Sequence, residues 1–77
     1  SARWARELVA LVPDDPDALF VLVQEDLRQS PPQVAEARKH FEALRAKQPG
    51  RLRTLWLEAR LALEESDDAG LEAVLAK

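Results

Sequence analysis

Two prolines set the frame of this chain. Pro13 and Pro49 stand 36 residues apart, and matching residue kinds recur at matching distances around each. Ser1, Ala5 and Leu8 lie 12, 8 and 5 residues before Pro13, and Ala37, Phe41 and Leu44 lie at the same distances before Pro49. Leu19, Phe20, Val23 and Leu27 follow Pro13 at 6, 7, 10 and 14 residues, and Leu55, Trp56, Ala59 and Leu63 follow Pro49 at those spacings. Self-similarity at a period of about 20 to 50 residues marks stacked supersecondary units, each too small to bury its apolar face alone.

The spacing within each unit is helical. In the first stretch, about Ala2 to Val12, Trp4, Ala5, Leu8, Leu11 and Val12 recur at three- and four-residue steps and share a face, which Val9 and Ala10 widen. Asp14-Asp15-Pro16-Asp17 reads as a helix start, with Asp15 as cap, Pro16 in the first turn and Asp17 at the positive end of the dipole. That second helix runs to about Gln29 with Leu19, Phe20, Leu22, Val23 and Leu27 apolar. Ser30 with Gln33 fits a capping box, with Pro31 in the first turn, so a third helix is predicted up to about Gln48 after a turn of at most three residues. Its apolar stripe is narrow (Val34, Ala37, Phe41, Leu44), which predicts the most solvent-facing helix of the set. Pro49-Gly50 ends it, with glycine easing the reversal. A fourth helix is predicted from about Arg51 to Glu65, carrying Leu52, Leu55, Trp56, Ala59 and Leu63 on one strip and Leu57 and Leu61 on another. Ser66-Asp67-Asp68 then reads as the start of a fifth, to about Ala76, with Leu71, Val74 and Leu75 apolar. The expectation is an all-α chain of about five antiparallel helices.

Composition narrows the function classes. At 77 residues the chain makes a single domain with a small core, burying about 60% of its unfolded surface. It has no cysteine, which removes disulfides and thiolate metal sites. No apolar run reaches about 18 residues, so no membrane insertion is expected. Nothing in the sequence assigns a compartment. It opens and closes inside helical patterns, so a piece of a longer protein is expected, with a partial unit over residues 1–13, a full one over 14–49 and a second partial one over 50–77. The net charge is −3, unevenly spread: residues 38–60 carry seven basic and two acidic side chains between two acidic ends. Such a pattern suits an acidic partner or a second copy of the same chain.

Catalytic and cofactor signals are missing from the pattern. His40 is the single histidine and is expected on a solvated helix surface beside Glu36. A metal site needs three or four convergent ligands, and no calcium loop follows the aspartates at 14, 15 and 17. Ser1, Ser30 and Ser66 lack a base and an orienting carboxylate, and no glycine-rich phosphate loop exists. No enzyme, cofactor or metal is expected.

The order small–aromatic–apolar–proline in Ala37, Phe41, Leu44 and Pro49 resembles the second helix of a tetratricopeptide repeat. Leu19, Leu22 and Leu55 stand where that family places large apolar residues of the first helix, and Ala59 fits its small-residue position. Val23 is large for that position, Asp26 and Ala62 replace a usual tyrosine, Glu58 replaces a leucine, and the unit is two residues longer, at Pro31-Pro32. The related pentatricopeptide type binds RNA, which the acidic total argues against, and no nucleic acid is expected. The resemblance implies a groove lined by the first helix of each unit. It would place Asp17, Phe20, Gln24, Leu27 and Arg28 there from one unit, and Arg53, Trp56, Arg60, Leu63 and Glu64 from the next. It further implies a scaffold for a peptide or partner protein, with acidic groups on the ligand to meet the arginines. A structural spacer within a longer solenoid and a homodimer formed through the end helices are the other expectations. A binding groove requires Phe20 and Trp56 to be open, whereas a spacer would have both enclosed.

Overall fold

A computed structural model describes residues 3–75, with side chains described as far as Ser66. It is all-helical: α1 (Arg3–Leu11), α2 (Pro16–Arg28), α3 (Val34–Lys47) and α4 (Leu52–Leu75). The all-α class is as the sequence predicts, but the described chain has four helices in place of five. α4 passes through Ser66-Asp67-Asp68 without a break. The physical reason is that serine and aspartate each cost a helix interior well under about 1 kcal/mol, and Gly70 only about 1. A new helix start becomes a real boundary only when proline, or docking of the next helix, makes the turn worthwhile. The predicted end at Ala76 lies outside the described residues.

The start of α2 follows its sequence closely. The Ala18 amide donates to Asp15 Oδ2 at 2.9 Å, and Pro16 occupies the first turn. The start of α3 does not. Gln33 takes the cap position, with no side-chain cap bond, and Ser30, Pro31 and Pro32 lie in the connection, whose Ser30–Pro31 bond is cis. Pro32 bars Pro31 from helical backbone, so no helix begins there. The turn therefore spans residues 29–33, longer than predicted. It closes through the Gln33 amide, which donates to the Asp26 carbonyl at 2.8 Å. After α3, the Gln48 amide caps the Leu44 carbonyl at 2.8 Å. Gly50 does not supply the reversal: its φ is not positive, and a β-carbon there would meet nothing within 4 Å.

Ion pairs fix the directions. Arg38 meets Glu65, while Arg45 meets Glu58 at 3.6 Å, so α3 and α4 run antiparallel. Asp26 meets His40 at 2.7 Å and Asp14 meets Lys47 at 2.8 Å, which makes α2 and α3 antiparallel as well. α2 and α4 therefore run the same way and touch along one side.

The main core is a seam of three helices. Leu19, Val23 and Leu27 of α2, Ala37, Phe41 and Leu44 of α3, and Leu57 and Leu61 of α4 are all buried. A smaller cluster joins Ala5 of α1 to Ala18 and Leu22 of α2. The narrow stripe of α3 is thus the most central surface in the molecule, although the helix's other faces are charged. Of the two strips on α4, Leu57 and Leu61 enter the core, and Leu52, Leu55, Trp56 and Leu63 stay exposed. Periodicity identifies both strips but cannot rank them. No helix among the described residues is long and apolar enough to cross a membrane.

Phe41 is fully enclosed, so Phe41→Ala removes a ring from a site that helices on two sides prevent from collapsing. The expected loss is about 3–5 kcal/mol, read as unfolding, or a steep fall in melting temperature, by circular dichroism. An unchanged melting curve would mean that Phe41 is not the central residue of the core. Gly50→Ala is expected to leave the fold intact and to raise stability by about 0.4–1 kcal/mol, because it restricts only the unfolded chain. A lower melting temperature would show that the turn does need glycine.

Candidate interaction groove

The side of the molecule shared by α2 and α4 carries most of the residues that the sequence points to. Gln24, Leu27 and Arg28 of α2 meet Trp56, Leu57 and Arg60 of α4 around a small recess. Beside it, Phe20, Gln24, Leu52, Arg53 and Trp56 line a wider, mostly apolar one. Asp17, Pro16, Gln48, Arg51, Leu52 and Arg53 surround a third at the α2 start. Residues 36 apart in sequence thus become lateral neighbours: Asp17 bonds Arg53 at 2.9 Å, and Phe20 lies close to Trp56 across the apolar recess.

Asp17 and Arg53 pair with each other, and the other eight candidates divide in three ways. Phe20, Gln24, Arg28, Trp56 and Arg60 border open space, with Trp56 50% exposed. Leu27 lines the recess but belongs to the core, at 5% exposure. Leu63 points away, 67% exposed on the outward side of α4, and Glu64 is half-buried and pairs with Arg60 at 3.6 Å. Leu52, which the sequence-based groove omits, joins both recesses at the α4 start. Its helical step from Trp56, one turn earlier, is the signal that would have found it.

The electrostatics are more committed than the charge count suggests. Arg53 bonds Asp17 and the Gln48 side chain, and its guanidinium lies over the Phe20 ring at 5.1 Å from the centroid. The arrangement spends that cation on holding α2 to the α3–α4 turn. Arg28 and Arg60 are freer, with their same-helix carboxylates at 4.0 Å and 3.6 Å. With Arg51, which lines the recess at the α2 start, they are the groove's more available positive charges.

His40 is not the solvated surface histidine that its neighbour Glu36 suggests. Its Nδ1 lies 2.7 Å from Asp26 Oδ2, and Asp26 is buried. The reason is long-range: the α2–α3 reversal places α3 opposite the last turn of α2. Asp26 is the partner that makes a half-buried histidine acceptable. Among the described residues no group of three His, Asp or Glu side chains is arranged to hold a metal ion.

Searches of known families, curated proteins and solved structures find no match to this chain.

Charge pairs also tie the layers behind the groove. Arg38 bridges Glu65 of α4 and Glu42 of its own helix, and its bond to Glu65 holds that carboxyl below its ordinary 4.5. Lys47 likewise lowers Asp14. Carboxylates with depressed values stabilise the fold above their unfolded pKa and lose that contribution as pH falls through the folded value. Glu65→Gln should therefore melt below the parent at neutral pH, and the difference should shrink as pH falls below about 4.5. A difference in melting temperature that does not change with pH would remove this role from Glu65.

Proposed function

We propose that this chain is a protein-interaction module built from helical hairpin repeats of the tetratricopeptide kind, and that its α2–α4 side receives a peptide or a segment of a partner protein. The observation that carries the reading is the pairing of Phe20 and Trp56 around an open apolar recess with Leu52 and Gln24 at its edge. A spacer role needs both aromatics sealed between helices, and Trp56 is half exposed. Tryptophan and arginine supply a disproportionate share of binding energy at such surfaces, where an apolar anchor fills a pocket and a charged rim orients it. The occupant would be a short segment with an apolar side chain for the recess and an acidic group within reach of Arg28 or Arg60. Arg53 contributes by presenting the Phe20 ring rather than by meeting the ligand. No residue is assigned a catalytic role.

Panning a random peptide library against the chain tests the reading. Selected peptides are expected to pair an apolar with an acidic residue, and to bind less well as salt screens the arginines. Trp56→Ala is expected to weaken them by at least about tenfold, and Arg60→Glu to weaken them further, with unchanged circular dichroism in both variants. Peptides that bind Trp56→Ala as well as the parent would remove the groove, and peptides indifferent to salt and to Arg60→Glu would remove its electrostatic part.

A further inference from the structure

The outward face of α4 is an apolar strip without an internal partner among the described residues. Leu52, Leu55 and Leu63 are 83%, 51% and 67% exposed, and Ala59 is exposed between them. The residues at the same offsets from Pro13 on α2, including Leu19, Val23 and Leu27, are sealed by α3. α4 is also longer than the helix it packs on, 24 residues against 14, with Arg38–Glu65 and Arg45–Glu58 marking their overlap.

The sequence of α4 is complementary to itself reversed. Arg51 just before it, Arg53 and Arg60 are basic, and Glu64, Glu65, Asp67, Asp68 and Glu72 of its later part are acidic, with Arg53 and Glu65 also paired within the chain. Arg51 has no ion pair among the described residues. We propose that α4 pairs antiparallel with α4 of a second copy of this chain, across a two-fold axis near Ala59. That axis sets Leu55 of one copy beside Leu63 of the other, with the small Ala59 side chains at the point of closest approach. It also runs the basic Arg51–Arg53 end of each helix against the acidic half of its partner's sequence. The like charges nearest the axis, Arg60 and Glu58, each have an opposite charge in their own copy that partly offsets them, Glu64 and Arg45, both at 3.6 Å. The macrodipoles of two antiparallel helices oppose, which adds to the preference for this direction. A closed two-fold arrangement uses one self-complementary patch and ends there, which suits a single exposed strip.

The pairing does not depend on the groove. It shares Leu52, Arg53 and Trp56 with the apolar recess and Arg60 with the smaller one, whereas Leu55, Ala59 and Leu63 lie outside both. Sedimentation equilibrium of the whole chain from about 1 μM to about 100 μM should show the mass rising from 8.6 kDa towards twice that value. Leu55→Glu, on an exposed position, should hold the mass at the monomer value while leaving the helical spectrum and any selected peptide's binding unchanged. Because the chain has no cysteine, Ala59→Cys reports on the axis directly. Under mild oxidation it should give a disulfide-linked dimer, which requires Cα atoms within about 7 Å, and Ala46→Cys on the exposed side of α3 should not. A mass fixed at 8.6 kDa, a dimer that survives Leu55→Glu, or equal crosslinking at 46 and 59 would each overturn the proposal.

Discussion

The rest of the molecule depends on the enclosure of Phe41. A single aromatic ring fills the space where α2, α3 and α4 converge, with Ala37 and Leu44 one turn away on either side. A core this small has no redundancy. The aliphatic residues of α2 and α4 do not have to meet each other; they meet α3, and α3 offers them little besides these three side chains. The arginines at 38 and 45 lie over the same ring, 5.4 and 5.7 Å from its centroid, and then reach the carboxylates of α4. One residue therefore organises both the apolar seam and the ionic bracing outside it.

That arrangement explains why the groove exists. Because α3 packs on α2 and α4 from behind, the two are held parallel and side by side with their opposite surfaces open. Phe20 and Trp56 become neighbours through the position of α3, not through any contact of their own. Arg53 then locks the α4 start to α2 through Asp17 and Gln48. A surface made this way has its backbone fixed before any ligand arrives, and such preorganisation is what lets a small recess bind usefully.

The same geometry divides α4 between two tasks. Its inner strip, Leu57 and Leu61, completes the core, and its outer strip is left over. A helix apolar on two sides belongs between two layers, and among the described residues only its inner side is covered, by α3 and α2. The outer strip and the groove meet at Leu52 and Trp56, so occupancy of one surface bears on the edge of the other.

The residues alone determine the helices and their starts and stops wherever a local interaction decides: the Asp15 cap, the Pro16 first turn, the end of α3 before Pro49, and the burial of Phe41. They also place Phe20 and Trp56 in equivalent positions, from which their proximity could be anticipated. What they leave open is every choice that depends on a distant partner. Either strip of α4 satisfies helical periodicity, and only the position of α3 decides that Leu57 and Leu61 go inside. His40 is exposed by its local sequence and half-buried by Asp26, fourteen residues away. Ser66-Asp67-Asp68 is a competent helix start that goes unused, because capping residues lower the cost of a turn but do not create one. Local propensities are worth tenths of a kcal/mol per residue, and tertiary burial of one side chain is worth several times as much. Where the two compete, tertiary burial decides the structure.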